Sequence, residues 1–316
     1  MIAQGEEEVD GSDDADVKEE DLVVWHRKMG HLNGVDVKKL EKMAVGVKIK
    51  KGTEIGVCGN CLAGKQHRTP SHEPSLRSSV AGDLIHMDSS GKIDPPAVGG
   101  FNYYGLFIDD ATRMTYFAPL KTNGAQEMLG HFIEFRKLIN TELGSKIKRI
   151  RTDNGTEYKG DLDKFLKKKG IKHELTAAYH PDQNGVAERA NRTIMERVKA
   201  IIADGELPKN LWAEIAATVV YLKNRSPTSA LDNKTPFEAW HGEKPDLSHL
   251  RILGCDAFVH VPKEKCIKLD SHTEKGQLVG YRGTNQWKVW IPRREEVVVS
   301  RDVVFDEMKG KELMQP

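Results

Sequence analysis

The segment IKRIRTDNGTEY (147–158) combines a short strand pattern with a tight polar turn. Its β-branched Ile147 and Ile150 predict a strand over 147–153. The Asp153-Asn154-Gly155 sequence is typical of the turn that ends such a strand. Asp153 is therefore expected at the end of a strand, where its carboxylate can take part in a functional site.

Segments on both sides of this strand predict a mixed α/β unit. Upstream, the predicted elements are strands over 83–90, 103–110 and 114–121 and an amphipathic helix over 125–140 with Met128, Phe132, Phe135 and Leu138 on one face. Downstream, they are a helix over 162–170, a strand over 171–178 and helices over 184–203 and 208–223. This order of elements predicts an α/β fold of the RNase H-like type.

The remaining segments predict smaller units around this core. A helix is expected near 22–30 and another over 35–43, with Val35, Leu40 and Met43 as the apolar positions that would face a core. Segment 250–306 is rich in β-formers and predicts a small barrel. The predicted organisation is a disordered acidic tail (1–21), a small helical domain (22–70), a linker (71–82), the core (83–205), a helical connector (206–248) and a β-barrel (249–308).

Four side chains that zinc prefers as ligands precede the core: His26, His31, Cys58 and Cys61. A Cys-x-x-Cys turn lets two thiolates reach one ion. On one continuous helix the two histidines would point about 140° apart, so Gly30 is expected to end the helix and turn His31 back. Two unrelated surface histidines with a chance Cys-x-x-Cys are the alternative, but a complete four-ligand set favours a closed, structural zinc site.

Carboxylates in and after the core indicate a second kind of metal site. Asp153 and Glu188 are separated by 34 residues, and Glu188 falls in the first turns of a predicted helix. The first predicted strand offers both Asp83 and Asp88. Carboxylates brought together in this way can hold two Mg²⁺ ions about 4 Å apart, the arrangement used in phosphodiester chemistry.

The charge distribution favours a nucleic-acid partner. Residues 1–21 carry ten acidic side chains and one lysine, a net −9, so the overall +1 leaves +10 on residues 22–316. A basic folded part suits a polyanion. In the stretch 64–79, which lacks periodicity, Lys65 (with His67 and Arg68) is either a phosphate contact or part of a solvated hinge. The sequence has no apolar run of about 18 residues, so no membrane span is expected.

The motifs together resemble the integrase of copia-type long-terminal-repeat retrotransposons, which is part of a Gag-Pol polyprotein. The resemblance is carried by WHRKMGHLN (25–33) and CGNCLAGK (58–65), by LIHMD (84–88), RTDNGTEY (151–158) and QNGVAERANRT (183–193), and by KTPFEAWHGEKPDLSHLRILGCDAFVHVP (234–262). It implies a zinc-binding module, an RNase H-like catalytic core and an SH3-like barrel. It also places the first catalytic ligand in His86-Met87-Asp88, and leaves Asp109 and Asp110 as turn formers.

The resemblance implies a DNA strand transferase that inserts element cDNA into host DNA, with endonuclease activity as a related possibility. Its implied cofactors are structural Zn²⁺ and two catalytic Mg²⁺ or Mn²⁺ ions. Its implied partners are double-stranded DNA and further copies of the chain, with RNA left open, and its implied location is the nucleus after a stage in cytoplasmic particles. The implied DNA contacts on the Glu188 helix are Asn184, Arg189, Asn191 and Arg192. The alternative for the two arginines is that they form solvated salt bridges and do not contact DNA.

Two other interpretations stay open at this point. The 34-residue interval is one residue shorter than is customary in the family, a change that a loop can absorb. A catalytically silent remnant that binds nucleic acid would keep the zinc module and the barrel. A plain nuclease of RNase H type would explain the acidic residues alone.

Overall fold

A computed structural model describes residues 18–65, 78–153, 155, 158, 160–175, 185–261 and 271–307, without the side chain of Lys65. Most of the predicted acidic tail (1–17), the residues His67 and Arg68, and most of the predicted linker (66–77) therefore lie outside the described residues. Within the described ranges no helix is long and apolar enough to cross a membrane.

Three short helices form the N-terminal part: α1 (Leu22–Lys28), α2 (Gly34–Met43) and α3 (Gly59–Lys65). The side chain of Asn33 caps α2 by accepting a hydrogen bond from the Asp36 N–H at 3.0 Å. The prediction that Val35 is buried is wrong, because this side chain is 68% exposed. Val37 is buried instead; residues two apart on a helix lie about 200° apart, so the two valines face opposite sides.

A five-stranded sheet forms the centre of the molecule. Its strands are β1 (Leu84–Ser89), β2 (Tyr103–Asp109), β3 (Thr115–Leu120), β4 (Arg149–Thr152) and β5 (Lys172–Leu175), in the order β3-β2-β1-β4-β5. The first three strands pair antiparallel, whereas β4 pairs parallel to β1 and β5 parallel to β4. This is the RNase H-like arrangement that the sequence predicts.

Helices cover both faces of this sheet because successive side chains of a strand point to opposite sides. On β2, Phe107 packs in one apolar cluster with α4 (Ala125–Leu143) and α5 (Asp161–Lys169). Leu106 and Ile108 pack in another with α6 (Gly185–Gly205) and α7 (Trp212–Asn224). The face predicted for α4 is nearly right: Met128, Phe132 and Phe135 are buried, but Ile139 is fully buried where Leu138 is only partly so.

The C-terminal part adds α8 (Pro236–His241) and a second antiparallel sheet. This sheet contains β6 (Asp256–His260), β7 (Thr273–Tyr281), β8 (Trp287–Ile291), β9 (Glu296–Ser300) and β10 (Val303–Asp306), in the order β10-β6-β7-β8-β9. The Thr218 hydroxyl of α7 donates to the Val279 carbonyl of β7 at 2.9 Å. The barrel is thereby attached to the helices behind the central sheet.

One apolar cluster connects all of these parts. It includes Trp25 and Met29 from α1 and its turn, Ile201 from α6, and Leu278 and Trp290 from the second sheet. Such a continuous cluster indicates a shared core rather than modules joined only by linkers. The domain boundaries stated above stay a prediction, and this cluster crosses several of them.

A close backbone contact between α6 and the start of the barrel gives a test of this shared core. Gly254 has φ +80°, and a Cβ there would lie 2.4 Å from the Cα of Gly205. We expect Gly254→Ala to lose about 1–2 kcal/mol from its left-handed backbone and about 1–3 kcal/mol more from overpacking. Urea denaturation measures the loss.

Gly283→Ala is the matched control. Gly283 has φ +72°, but a Cβ there would have open space around it, so this variant should show only the backbone strain. Equal destabilisation of the two variants would mean that the contact between Gly254 and Gly205 contributes nothing.

Candidate active site and metal centre

The alternation of side chains along β1 decides which of them reach the site. Ile85 and Met87 lie in the cluster with α4 and α5, so His86 and Asp88 face the side of α6. The parallel pairing of β1 with β4 sets His86 beside Arg151. Two residues further in the same register, Asp153 follows β4 level with Asp88. The predicted aspartates therefore lie at the ends of neighbouring parallel strands.

Glu188 approaches the same edge from the first turn of α6. Burial, together with the negative charges of Asp153 and Glu188, raises the pKa of Asp88 to about 6, and hydrogen bonds from Asn191 and the Ser89 N–H limit this rise. The three predicted carboxylates therefore share one electrostatic environment. Their mutual repulsion is relieved by a cation, and oxygen ligands of this kind suit a hard divalent ion.

Asn191 holds the central carboxylate in place. It lies one turn after Glu188 on α6, and its Nδ2 donates to Asp88 Oδ2 at 2.7 Å. The buried Tyr104 hydroxyl of β2 donates in turn to Asn191 Oδ1 at 2.5 Å. Burial raises the pKa of Tyr104, and the charge of Asp88 acts in the same direction. The phenol therefore stays a proton donor at neutral pH, which fixes the orientation of the amide.

The other residues predicted to contact DNA are placed differently. Arg189 and Arg192 are exposed on α6, and neither forms an ion pair with another described residue. Asn191 points inward to Asp88. Asn184 and the side chain of Lys65 lie outside the described residues. DNA contact by these five residues stays a prediction.

Neighbouring acidic side chains have structural partners of their own. Asp83 accepts from Arg149 at 2.6 Å, and this hydrogen bond holds its pKa below the usual value. Asp109 accepts from the Thr112 N–H at 2.8 Å and so closes the turn after β2, as predicted. Burial alone would raise the pKa of Asp110, but hydrogen bonds from His86 and the Ser78 N–H hold it well below its usual range.

The predicted His and Cys residues form a second, compact cluster. The ligand atoms of His26, His31, Cys58 and Cys61 all lie within 4.8 Å of one another. His26 Nε2 lies 3.1 Å from His31 Nδ1, and Cys61 Sγ lies 3.5 Å from His26 Nε2. A tetrahedral zinc ion with its usual bond lengths separates its ligand atoms by about 3.3–3.8 Å. The cluster therefore has the ligand types and spacing that fit this ion.

The turn after α1 brings the two histidines together as the sequence predicts. Gly30 and His31 both have φ 61°, which ends the helix and reverses the chain. A Cβ on Gly30 would lie 3.2–3.3 Å from Leu222, Arg197 and Ile201. The positive φ and the limited space therefore both favour glycine at this position. His26 Nδ1 lies 2.6 Å from the Leu32 carbonyl oxygen. A proton held on Nδ1 by this carbonyl makes Nε2 the unprotonated nitrogen, which is the one that can bind a metal.

Asp204, in the last turn of α6, is a residue of this cluster that the motif spacing does not identify. Its Oδ2 lies 3.2 Å from Arg27 Nη2 and 3.8 Å from His31 Nε2. Asp204 lies 173 positions after His31, so no local pattern connects them. One sequence signal does exist: an acidic residue at the C-terminal end of a helix is electrostatically unfavourable unless it has a partner.

Comparisons with known protein families agree with this geometry. A family model described as an integrase core domain matches residues 79–181. A second model, described as a retroviral polymerase SH3-like domain, matches residues 255–315. The chain contains an integrase core. The SH3-like match covers the second sheet, and the resemblance found in the motifs is confirmed.

Relatives of this chain are polyproteins from plant transposons. It is 39% identical over 287 residues to the retrovirus-related Pol polyprotein from transposon TNT 1-94 of Nicotiana tabacum, covering 90% of this chain and 21% of that protein. It is 28% identical over 291 residues to the corresponding polyprotein from transposon RE1 of Arabidopsis thaliana, covering 90% and 19%. The chain thus spans about a fifth of the length of these relatives.

Among solved structures, the HTLV-2 integrase catalytic core domain in complex with magnesium covers 52% of this chain and 100% of its own. The identity is 19% and the TM-score 0.40. This similarity is too low to add to the assignment, which depends on the family models and the polyprotein relatives.

The raised pKa of Asp88 predicts a pH-dependent stability of the integrase core. A carboxyl group with a folded-state pKa of about 6 and an ordinary value of 3.8 destabilises the folded state as the pH rises from about 4 through 6. Asp88→Asn removes this cost. In magnesium-free, zinc-loaded buffer we expect the variant to be more stable than wild type by about 1–3 kcal/mol at pH 8 and by almost nothing at pH 4. Thermal melting across this range measures the difference.

Asp83→Asn provides a control with the opposite sign. The pKa of Asp83 is lowered by its hydrogen bond with Arg149, so its ionised form stabilises the fold, and the variant should melt below wild type at pH 8. If Asp88→Asn changed the stability by the same amount at pH 4 and pH 8, the ionisation of Asp88 would not be the cause, and the raised pKa would be contradicted.

Proposed function

We propose that this chain is the integrase part of a retrotransposon polyprotein and that it joins element cDNA to host DNA. In this reaction the 3′-hydroxyl oxygen of a cDNA end attacks a target phosphorus. One phosphodiester bond forms while another breaks, and the leaving oxygen stays on the cut target strand. The observation that supports the proposal most is the shared environment of Asp88, Asp153 and Glu188 at one edge of the integrase core.

The residues present fit the metals that this chemistry uses. Asp88, Asp153 and Glu188 would hold two Mg²⁺ or Mn²⁺ ions, which when bound activate the nucleophile and neutralise charge on the phosphate. Asp88 interacts electrostatically with both of the other acids and would be one of the metal ligands. His26, His31, Cys58 and Cys61 would hold a structural Zn²⁺, since this donor set leaves no open position for a substrate.

The protein side chains around the acids orient the reacting groups. Asn191 fixes one oxygen of Asp88, and Tyr104 fixes Asn191, so the carboxylate would need little rearrangement on binding cations. Arg189 and Arg192, which are exposed, would contact backbone phosphates of a DNA end at the start of α6. Trimming of the cDNA ends, an endonuclease activity, would use the same acids with water as the nucleophile.

The proposed partners follow from this reaction. They are double-stranded DNA, as cDNA ends and as target, and further copies of the chain, since two ends must be joined together. RNA is a further proposed partner at the particle stage. We place the activity in the nucleus, after a stage in cytoplasmic particles. The net +10 on residues 22–316 supports a polyanionic partner.

The three carboxylates are expected to act as a unit. Asp88→Asn, Asp153→Asn and Glu188→Gln each remove a charged ligand while keeping the shape of the side chain. We expect each variant to retain its fold while strand transfer falls by about 10³-fold or more, which corresponds to about 4 kcal/mol of barrier. Joining of a pre-cut donor oligonucleotide to target DNA in Mg²⁺ or Mn²⁺ measures the loss, and double variants should be little worse than single ones.

Asp83→Asn is the control for this series, because Asp83 forms ion pairs with Lys148 and Arg149. It should keep most of the joining activity. Loss of activity with Asp83→Asn but not with Asp88→Asn would show that the first ligand is assigned to the wrong residue. A wild-type chain that joins no ends under these conditions would favour the catalytically silent remnant.

The DNA contacts of α6 are tested by a double substitution. Arg189→Ala with Arg192→Ala should weaken binding to a cDNA-end duplex and reduce the slope of log affinity against log salt by about 2, because two phosphate contacts are lost. Fluorescence anisotropy across a salt titration measures both quantities. Arg136→Ala with Lys137→Ala removes the same charge from α4, on the opposite face of the sheet, and should leave the slope unchanged. Equal slopes for the two double variants would contradict the contacts.

A further inference from the structure

Asp204 connects the helix of the active site to three separate parts of the His and Cys cluster. Its Oδ2 accepts from Arg27 of α1, with Nη2 at 3.2 Å and Nε at 3.3 Å. The same oxygen lies 3.8 Å from His31 Nε2. Its Oδ1 accepts from the side chain of Asn60, inside the Cys58–Cys61 turn, at 3.4 Å. A single carboxylate of α6 thus lies against α1, a histidine of the cluster and the cysteine turn.

The position of Asp204 is unfavourable for α6 taken alone. It lies in the last turn of a 21-residue helix that has no basic residue in that turn. The C-terminal end of a helix carries a partial negative charge, which repels a carboxylate. Asp204 is also largely buried, with a side chain only 14% exposed. Its favourable interactions therefore come from the N-terminal module and not from its own helix.

The position of Asp204 beside His31 bears on how this histidine would bind a metal. His31 Nδ1 faces the other ligand atoms, at 3.1 Å from His26 Nε2, and Nε2 faces Asp204. A carboxylate behind a metal-binding imidazole keeps the proton on the distal nitrogen, orients the ring and makes the near nitrogen a better ligand. The Leu32 carbonyl oxygen lies on the corresponding side of His26, at a hydrogen-bond distance of 2.6 Å, whereas the 3.8 Å between Asp204 and His31 is an ion-pair distance. Each histidine of the cluster therefore has an acceptor behind it.

Other contacts hold the module firmly on α6. The guanidinium of Arg197, buried on α6, donates to the Gly30 carbonyl at 2.8 Å and to the Met29 carbonyl. A Cβ on Gly64 of α3 would lie 2.8 Å from the Glu196 carbonyl oxygen, so α3 crosses α6 at close range. A movement of the His and Cys cluster would therefore act directly on α6, because the cluster packs against this helix and is not joined to it only by a flexible linker.

We propose that Asp204 is a positioning residue that couples occupancy of the zinc cluster to α6, the helix that carries Glu188 and Asn191. Asp204 lies 16 residues after Glu188, about 24 Å along a continuous helix. Zinc bound to His31 would hold the imidazole against Asp204 and so fix the far end of this helix. The inference depends on the proposed zinc, and not on strand transfer.

The experiment compares the full-length wild type with Asp204→Asn, which keeps the shape of the side chain but removes its charge. Zinc affinity is measured by competition with a chromogenic chelator, and amide hydrogen exchange of residues 185–205 is followed with and without zinc. We expect zinc affinity to fall by about 10-fold or more in the variant, as for other residues behind a metal ligand. We also expect zinc to slow exchange along α6 in wild type and to do so much less in the variant.

Two controls separate this role from a structural one. Glu206→Gln makes the same charge change at an exposed neighbouring position and should behave as wild type. Arg27→Gln breaks the ion pair but leaves the carboxylate behind His31, so zinc affinity should stay close to wild type. A loss with Arg27→Gln equal to that with Asp204→Asn would overturn the inference, because the ion pair would then act only through stability.

Two further outcomes would also decide against it. Unchanged zinc affinity in Asp204→Asn would refute the role of this carboxylate, and exchange along α6 that does not respond to zinc in wild type would refute the coupling. A wild-type chain that takes up no zinc would instead overturn the proposed zinc site itself, while the strand-transfer assay would still stand as the separate test of catalysis.

Discussion

The packing of α6 between the central sheet and the N-terminal helices determines the geometry of both candidate metal sites. Ala187 and Ala190 are buried near its start, where small side chains allow close approach to the sheet, and Ile194, Val198 and Ile201 continue the apolar face. This face follows the helical repeat, so its alignment also sets where the polar residues point. Glu188 and Asn191 reach the edge of β1, and Asp204 reaches the His and Cys cluster.

The carboxylates at the two ends of α6, Asp88 and Asp204, are stabilised in different ways. At its start, Asp88 is stabilised by neutral donors, Asn191 and the Ser89 N–H, while two further carboxylates oppose its ionisation. At its end, Asp204 is neutralised by Arg27 from within the protein. The first arrangement leaves excess negative charge for cations supplied from outside. The second needs no added ion for its own charge balance, which suits a supporting role.

Local patterns in the sequence predict the central sheet and the grouping of the four His and Cys side chains. Strand periodicity and the Cys-x-x-Cys spacing each depend on residues close together in the chain; the structure contains the predicted strands and brings the four His and Cys side chains together. Val35 was wrongly predicted to be buried because a single apolar residue in the first turn of α2 does not reveal which face packs. The separate helix α8 was not distinguished within the helical connector.

Long-range contacts account for the rest of what the sequence did not reveal. Asn191 was predicted as a DNA contact because it lies beside Glu188, but its partner is Asp88, 103 positions earlier. The ion pair of Arg27 with Asp204 spans 177 positions. A single sequence contains no signal that joins such residues, because only the folded sheet and helices bring them together.

The apolar cluster shared by α1, α6, α7 and the second sheet has a consequence for recombination between related elements. Its members run from Leu22 to Trp290 and include both sides of the α6–α7 junction. A crossover inside that span would set side chains from one parent against surfaces shaped by the other, and packed neighbours do not tolerate independent replacement. Chimeric chains should therefore inherit the α1, α6, α7 and β7 surfaces as one set, even though the motifs along the chain look like separate exchangeable modules.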